Sequence, residues 1–305
     1  MNTQLFERLA KKMVPHARLL RIWEMEGGVS AQVTGMEIEQ PDGHTKKMIV
    51  RQHGAADLQR DPEVAKHEYK LLYLLHSTGL PVPAPCFVDE SGEILSSPCL
   101  VIEYVENERD YKTADLYGYV DQLAVHLAAI HQADLDLQGL GFLPDQTKMI
   151  AAKLADRPVC LDETLSEGRL RDVLDAVWPL PPRNTSVLLH GDYWPGNTLW
   201  KDNKLVAVID WEDAAIGDPL ADLANARLEM LWAFGTEAMH DFTTLYKSRM
   251  RGVDVAHLPY WDLCAALRPA SKLSQWGLEA SVEQKMRQRH AWFVNQALEK
   301  LSVQM

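Results

Sequence analysis

The sequence predicts an α+β protein of two lobes. Short β-type runs separated by turn signals fill the first third of the 305-residue chain. From about residue 110 onward helical patterns dominate, and short β-type runs return only between 187 and 211. Because strands and helices are segregated rather than alternating, we expect a small lobe with an antiparallel sheet and one key helix, and a large, mainly helical lobe, with a cleft between them. The boundary is predicted between residues 104 and 105, giving domains 1–104 and 105–305.

Turn formers divide the first lobe into extended segments. Gly27-Gly28, Pro41-Asp42-Gly43 and Ser91-Gly92 are typical of turns between strands. A first helix is predicted over 3–12, where charged and apolar residues alternate at helical spacing. The strands are expected at 19–23, 32–39, 47–52, 86–89 and 99–104.

A second helix is predicted from Pro62 to His76. Asp61 is a suitable N-cap, and Pro62 suits the first helical position. Apolar residues recur at helical spacing at Val64, Leu71, Leu72 and Leu75. In the second lobe, helices are predicted at 114–132, around 145–155, and at 220–234, 236–251, 258–276 and 282–301.

The charge balance limits the classes of partner. The chain carries 43 acidic and 31 basic side chains, a formal net charge of −12. This argues against a general nucleic-acid binder, which needs a basic surface. It suits solubility, a cationic small molecule or a metal–nucleotide complex. No apolar run approaches the roughly 20 residues that span a bilayer, and the amino terminus lacks signal-peptide features, so we expect a cytoplasmic protein with free thiols and no membrane partner.

The most informative segment runs from 188 to 212. Thr198–Lys201 and Leu205–Ile209 are β-type runs joined by turn formers, which predicts a hairpin. A turn of two to four residues places Asn197 opposite a residue between about 208 and 210. Asn197 and Asp210 are therefore expected at one end of the hairpin, with Asp192 on the loop before it.

Oxygen ligands converging at a strand end suit a hard divalent cation. Mg²⁺ is typically held by one or two protein groups plus substrate phosphates and water. A single Asp at a turn is more often a cap than a ligand, but the combination of Asp192, Asn197 and Asp210 is specific. The sequence therefore predicts a magnesium site here.

Three motifs in this region resemble those of a known family. They are H-G-D-x4-N from His190 to Asn197, I-D-W-E from Ile209 to Glu212, and G-D-P-x-x-D-L-A from Gly217 to Ala224. Together they resemble the aminoglycoside phosphotransferase and choline kinase-like family of small-molecule kinases. The resemblance implies a protein-kinase-like fold that transfers the γ-phosphoryl group of ATP to a hydroxyl.

The same resemblance implies residue roles in the large lobe. Asp192 would be the catalytic base, and Asn197 and Asp210 would hold Mg²⁺ against the nucleotide phosphates. Asp222 is expected to hydrogen-bond the backbone of the catalytic loop. His190 is expected either to orient that loop or to be purely structural, and His131 to be structural.

The small lobe is expected to bind the nucleotide. Gly28 and Ser30 lie in a turn whose backbone N–H groups could reach phosphate oxygens, although the chain lacks G-x-G-x-x-G. By position, Arg51 ends the third strand and would pair with Glu68 on the following helix; an arginine can fork across two phosphate oxygens. By resemblance, the carbonyl of Glu103 and the N–H of Val105 would bind the adenine edge.

The acceptor is left open by the sequence. An aminoglycoside, a macrolide, choline, a sugar or an amino-alcohol would all fit a site with tryptophans and carboxylates. The candidates are Trp194, Trp211, Glu212, Asp213, Trp232, Trp261, Asp262, Trp276, Glu279 and Glu283. Two alternatives remain: a Ser/Thr protein kinase, although H-R-D and A-P-E segments are absent, and a non-catalytic nucleotide-binding module. Oligomeric state is not readable from the chain.

Overall fold

The computed structural model describes residues 2–25, 31–108 and 115–304. The chain divides into two compact units. The first contains Met1–Arg109 with Leu199–Lys201 and Val206–Ile209, and the second contains the remainder. The domain boundary between 104 and 105 stays a prediction.

The first unit is built on a five-stranded antiparallel sheet in the order β1-β2-β3-β5-β4. Alternate residues of β3 face inward, so that Met48 and Val50 are buried beside Val101 of β5. Phe6 and Leu9 of the first helix belong to the same core. The elements are α1 Thr3–Met13, β1 Arg18–Glu24, β2 Ala31–Glu39, β3 Thr45–His53, α2 Ala55–Arg60, α3 Val64–Ser77, β4 Pro85–Asp89 and β5 Cys99–Glu103.

The start of α3 differs from the prediction. The helix begins at Val64 rather than Pro62, because the short helix α2, which the sequence analysis did not predict, ends just before it. Asp61 closes α2 as its C-cap residue. Its carboxylate then accepts the Glu63 backbone N–H at 3.0 Å and contacts Nδ1 of His67 at 2.6 Å. Asp61 therefore joins two helices rather than capping one.

The rest of the described chain is mainly helical. Val187–Leu189 and Ala215–Gly217 form a small antiparallel sheet, and Thr198–Lys201 pairs with Lys204–Val208. The elements are α4 Leu116–His131, α5 Gln146–Ala155, α6 Glu167–Asp175, β6 Val187–Leu189, β7 Thr198–Lys201, β8 Lys204–Val208, β9 Ala215–Gly217, α7 Leu220–Phe234, α8 Thr236–Arg249, α9 Leu258–Ala266 and α10 Ala280–Gln304. Within the residues described, no helix has the length and apolar character required to cross a membrane.

The prediction of one helix over 258–276 is wrong. Helix α9 ends at Ala266, and a separate short 3₁₀ turn follows at Leu273–Gln275. Pro269 explains the break, since proline cannot continue the backbone hydrogen bonding and disfavours helical geometry in the residue before it. As a result Arg268 lies outside α9, in the turn that follows it. Helix α6 was not predicted.

A buried ion pair joins α7 to α9. Arg227 Nε and Nη2 donate to the two carboxylate oxygens of Asp262 at 2.9 and 3.0 Å. Thr243 and Gln296 complete the network. Both charged side chains are at most 2% exposed. Asp262 is thus buried and paired inside the helical unit, so this candidate is not available to meet an amine of the phosphoryl acceptor.

Removing one partner of this pair should destabilise the protein strongly. Arg227→Ala leaves the Asp262 carboxylate buried without its counter-charge, so we expect the free energy of unfolding to fall by about 3–5 kcal/mol. Urea denaturation followed by circular dichroism measures it. Arg18→Ala is the control, because its partner Glu39 is only a surface contact, and should cost less than about 1 kcal/mol. Equal losses in the two variants would contradict the account.

Candidate active site

A loop after β6 carries the first predicted site residue. His190-Gly191-Asp192, which we call the HGD loop, turns sharply because Gly191 has φ +82°. A Cβ at Gly191 would lie 1.9 Å from the carbonyl oxygen of Asp213. Only glycine fits both the left-handed backbone and this close approach.

The Asp222 carboxylate of α7 anchors the backbone of the HGD loop. It accepts the backbone N–H groups of His190 and Gly191 at 2.6 and 2.9 Å. His131 Nε2 lies 3.2 Å from the same carboxylate, and His131 Nδ1 is 2.7 Å from the Tyr246 hydroxyl. The expected bond from Asp222 to the loop backbone is present, and His131 is buried in a structural position.

The protonation of Asp222 follows from these contacts. Burial alone would raise the pKa of its carboxyl, but the hydrogen bond and charge of His131, together with the backbone N–H of His190, hold that pKa below its ordinary value. The anion is therefore stabilised where it is fully buried. An anionic carboxylate accepts more strongly than a neutral one, which fixes the loop backbone.

The buried side chain of His190 also fixes the conformation of the HGD loop. Its Nδ1 accepts the backbone N–H of Asp192 at 3.2 Å, which requires the Nδ1 lone pair to be free of a proton. Its ring packs against Trp211, with the ring centroids 4.6 Å apart. The side chain is completely buried. His190 thus connects the HGD loop to the segment that follows β8.

The Asp192 carboxylate is held by two side chains. Asn197 Nδ2 donates to its Oδ2 at 3.2 Å and to its backbone oxygen at 2.9 Å. Arg268 Nη2 donates to its Oδ1 at 2.9 Å, and Arg268 Nη1 to the Gly191 carbonyl at 2.7 Å. The Asp192 side chain remains 35% exposed. A fixed carboxylate that solvent or a ligand can reach is suited to accept a proton.

The predicted hairpin brings Asp210 toward this loop. Asp202 and Asn203, both with positive φ, form a two-residue turn between β7 and β8. With a two-residue turn between paired strands, hairpin geometry sets Asn197 opposite Val208, two residues before Asp210. The segment from Asp210 onward is pressed against the HGD loop through Trp211 and Asp213, as described above. Asp192 and Asn197 are thus in contact, and Asp210 lies on the adjoining segment.

Two residues of this site were not predicted. Arg268 reaches Asp192 across 76 positions of sequence, and it also lies 3.8 Å from the Asp213 carboxylate. The second is Glu229 of α7, whose pKa is raised by burial and then by the negative charge of Asp192. The sequence did carry a signal for Glu229. It is an acidic residue between Leu228 and Met230, in a helix that is apolar on nearly all sides. Nothing in the pattern around Arg268 pointed to Asp192.

The Arg51 and Glu68 side chains meet in the first unit, as the sequence predicts. Arg51 Nη1 lies 3.1 Å from Glu68 Oε1, with only 11% and 6% of the side chains exposed. His53, which was not predicted, contacts the other Glu68 oxygen at 3.3 Å. Burial, and secondly the positive charge of Arg51, lowers the pKa of His53 to about 4. The imidazole is therefore neutral at pH 7, and the Arg51 guanidinium is a positive partner of the Glu68 carboxylate.

The remaining nucleotide-site candidates lie at strand ends or outside the described residues. Glu103 ends β5 opposite Met48, and its carboxylate accepts the Ala84 backbone N–H at 3.3 Å. Val105 follows two residues later. Gly28 and Ser30 lie outside the residues that the structure describes.

The tryptophan candidates separate by exposure. Trp211, Trp232 and Trp261 are buried and contribute to the core. Trp194 and Trp276 are 39% and 46% exposed. Of these five, only the two exposed rings present a large surface to a ligand.

Adding a methyl group at Gly191 should disrupt the HGD loop. Gly191→Ala forces a Cβ against the Asp213 carbonyl and places alanine at φ +82°. We expect a loss of about 2–4 kcal/mol in the free energy of unfolding, measured by urea denaturation. Gly252→Ala is the matched control, because its Cβ would meet nothing within 4 Å. A Gly191→Ala protein as stable as the control would show that the close approach is unimportant.

Glu229 predicts a dependence of stability on pH. Burial, and then the negative charge of Asp192, raises its pKa from 4.5 to about 8, against an opposing effect of Arg268. Between pH 4.5 and about 8, Glu229 keeps its proton in the folded protein but loses it in the unfolded chain. The free energy of unfolding therefore falls as pH rises through this range, by up to about 1.4 kcal/mol per pH unit, and the contribution of Glu229 is complete only below the lower value. Glu229→Gln, which stays neutral, should remove this slope in denaturation curves collected from pH 5 to 8. An unchanged slope would contradict the assignment.

Comparison with known proteins identifies the family. The sequence profile described as "Phosphotransferase enzyme family" matches residues 31–256. Acyl-CoA dehydrogenase family member 11 of Rattus norvegicus is 28% identical over 235 residues, covering 66% of this chain and 29% of that protein. Hygromycin-B 4-O-kinase of Escherichia coli is 26% identical over 194 residues, 58% of this chain and 54% of that one. The chain thus spans under a third of the length of the acyl-CoA dehydrogenase family relative.

Solved structures show the same fold. Amicoumacin kinase, in complex with AMP-PNP, Ca²⁺ and amicoumacin, matches with a TM-score of 0.68 at 15% identity, covering 97% of this chain and 94% of that one. Macrolide 2′-phosphotransferase type I matches with a TM-score of 0.63 at 19% identity, covering 95% and 96%. The predicted α+β, kinase-like fold is confirmed. Because the profile match covers most of its length, the chain belongs to the phosphotransferase enzyme family.

Proposed function

We propose that the protein is an ATP-dependent O-phosphotransferase that moves the γ-phosphoryl group to a hydroxyl of a small molecule. The observation that carries the proposal is the Asp192 carboxylate, fixed by Asn197 and Arg268 yet open to a ligand. Family membership supports the reaction class. A protein that only bound nucleotides would have no need of this base.

In the proposed reaction Asp192 orients the acceptor hydroxyl and takes its proton. The hydroxyl oxygen forms a bond to the γ-phosphorus while the bond from that phosphorus to the β,γ-bridging oxygen breaks, and ADP leaves. The proton passes to Asp192 and then to solvent. A carboxylate can serve as the base because the proton leaves late in a loose transition state, so positioning matters more than basicity.

The residues at the hairpin end fit a magnesium ion. Because Asn197 Nδ2 is committed to Asp192, its Oδ1 is the atom that remains to ligate. In the described parts of the chain, no group of three or more His, Cys, Asp or Glu is arranged to hold a metal. Two oxygen-bearing side chains, Asn197 and Asp210, suit a cation such as Mg²⁺ that takes its other ligands from phosphates and water. When bound, Mg²⁺ would neutralise phosphate charge.

Arg51 is proposed to bind nucleotide phosphates. Glu68 holds its guanidinium through Nη1, and 11% exposure of the side chain keeps that group desolvated. A guanidinium oriented in this way can bind two phosphate oxygens at once, whereas lysine would act as a point charge. Glu68 is thus a positioning residue, and His53 packs beside it without adding charge at pH 7.

The adenine and phosphate contacts are proposed by family likeness. The carbonyl of Glu103 and the N–H of Val105, at the end of β5, would bind the adenine edge. Gly28 and Ser30 would contribute backbone N–H groups to the phosphates. Neighbours with this fold have been solved with AMP-PNP or ADP, which supports a nucleotide as the phosphoryl donor.

The acceptor is proposed to be a small molecule. Hygromycin B accompanies ADP in one solved neighbour, and the other named neighbours act on amicoumacin and macrolides. Exposed Trp194, next to the HGD loop in sequence, offers an apolar face to such a molecule. A Ser/Thr protein kinase is disfavoured because the chain lacks an A-P-E segment.

Asp192→Ala and Asp210→Ala should fail in different ways. Asp192→Ala removes the base but no metal ligand, so Mg²⁺-dependent ATP turnover should fall by about 10²–10⁴-fold while nucleotide affinity persists. Asp210→Ala should instead weaken Mg²⁺–ATP binding itself. Coupled ADP-release assays and calorimetric titration with Mg²⁺–AMP-PNP measure the two effects.

Asp134→Ala provides the control for this pair of variants. Asp134 is an exposed aspartate after α4, away from the HGD loop in sequence, and its loss should leave turnover and nucleotide affinity unchanged. Full turnover in both Asp192→Ala and Asp210→Ala would show that the proposed site is wrong. Removing Mg²⁺ with EDTA should also abolish turnover in the wild type.

A further inference from the structure

The side-chain amide of Gln122, on α4, binds the backbone of the β7–β8 hairpin at two points. Its Nε2 donates to the carbonyl oxygen of Asn203 at 2.9 Å, and its Oε1 accepts the backbone N–H of Leu205 at 3.0 Å. Asn203 is the second residue of the turn, and Leu205 is the second residue of β8. Gln122 therefore holds the turn end of the hairpin, whereas Asn197 and Asp210 lie at the opposite end.

The hairpin needs such a contact because it has few hydrogen bonds of its own. β7 and β8 pair as a two-stranded sheet, and a sheet of two strands is at best marginally stable in water without further packing. With a two-residue turn, Lys201 and Lys204 form the hydrogen-bonded pair beside the turn, so the backbone N–H of Leu205 points away from β7. The Gln122 amide binds this outer edge of β8 in the way that a neighbouring strand would.

The next residue of α4 supports the loop that carries Asp192. The hydroxyl of Tyr193, which follows Asp192 in the chain, donates to the backbone carbonyl of Leu123 at 2.9 Å. Tyr193 is completely buried. Two consecutive residues of one helix, Gln122 and Leu123, therefore hold the hairpin and the segment that adjoins the HGD loop. A rigid helix that binds both segments fixes their relative position.

The length of the hairpin makes the metal-binding end sensitive to how the turn end is held. A strand rises about 3.3 Å per residue, so Asp210 lies up to about 17 Å from Leu205 along the chain. A change of about 5° in the direction of the hairpin corresponds to a displacement of about 1.5 Å over this length. Mg²⁺ demands near-ideal octahedral geometry and short bonds, so it tolerates such a displacement poorly.

We propose that Gln122 is a positioning residue for the magnesium site. It fixes the direction of the β7–β8 hairpin and so sets where Asp210 lies relative to Asn197 and Asp192. In this proposal Gln122 acts through the hairpin backbone and contacts neither the metal nor the nucleotide. The inference rests on the proposed function, because it concerns the Mg²⁺–nucleotide complex that this function requires.

Calorimetric titration of the Gln122→Met protein tests the inference. Methionine keeps the length of the side chain but cannot donate to Asn203 and accepts only weakly from Leu205. Affinity for Mg²⁺–AMP-PNP should fall by about threefold to tenfold. Affinity for Ca²⁺–AMP-PNP should fall by less than about twofold, because Ca²⁺ accepts flexible coordination geometry and longer bonds.

Gln132→Met is the matched control on the same helix. Gln132 is the C-cap residue of α4, and its Nε2 donates to the backbone carbonyl of Arg249 at 3.0 Å. The same substitution there removes a bond of the same kind without touching the hairpin. Both affinities should therefore equal those of the wild type, and circular dichroism confirms that each variant is folded.

Amide hydrogen exchange in the ligand-free protein measures the support of the hairpin directly. The backbone N–H of Leu205 should exchange at least about tenfold faster in Gln122→Met than in the wild type, because it loses its acceptor and the end of the hairpin opens more readily. In Gln132→Met this amide should exchange at the wild-type rate. An unchanged rate in Gln122→Met would show that its amide does not support the hairpin, which overturns the inference.

The binding results separate failure of the inference from failure of the proposed function. Equal Mg²⁺–AMP-PNP affinity in the wild type and Gln122→Met would overturn the inference and leave phosphotransfer intact. Equal losses for the Mg²⁺ and Ca²⁺ complexes, or a similar loss in Gln132→Met, would indicate a general weakening of the fold and would also overturn it. If the wild type binds no Mg²⁺–AMP-PNP, the proposed function itself fails.

Discussion

The candidate site depends on one buried carboxylate, that of Asp222. It accepts two backbone N–H groups of the HGD loop, and its Oδ2 also lies 3.2 Å from His131 Nε2. A buried anion is tolerated only where such donors replace water, and here the donors belong to the loop that carries Asp192. The constraint therefore acts in both directions: the loop stabilises the charge, and the charge fixes the loop.

Around Asp222, the residues that position the HGD loop are different from the residue, Asp192, that is proposed to take the proton. Gly191 permits the sharp turn, His190 ties it to Trp211, and Asn197 and Arg268 fix the direction of the Asp192 carboxylate. These contacts come from the protein's own residues and hold the carboxylate in one orientation, which is the positioning that the reaction needs. A preorganised carboxylate is what phosphoryl transfer to a hydroxyl requires.

Local patterns predicted the parts of the site that are local in sequence. The hairpin, with a turn of two to four residues, and the Asp192–Asn197 neighbourhood follow from strand and turn preferences within about twenty residues. Arg268 could not be found in this way, because its contact with Asp192 depends on how α9 ends and packs. The helix predicted over 258–276 concealed it, although Pro269 signalled the break. Long-range pairings of this kind depend on tertiary packing, which periodicity does not report.

A crystal structure of the full chain with AMP-PNP and Mn²⁺, used in place of Mg²⁺, tests the central claim most directly. The account predicts an anomalous peak from a Mn²⁺ ion ligated by Asn197 and Asp210. It also predicts that the γ-phosphate faces the Asp192 carboxylate. It also predicts an HGD loop unchanged from the one held by Asp222 here. A metal bound elsewhere, or a γ-phosphate remote from Asp192, would contradict the phosphotransferase assignment of these residues.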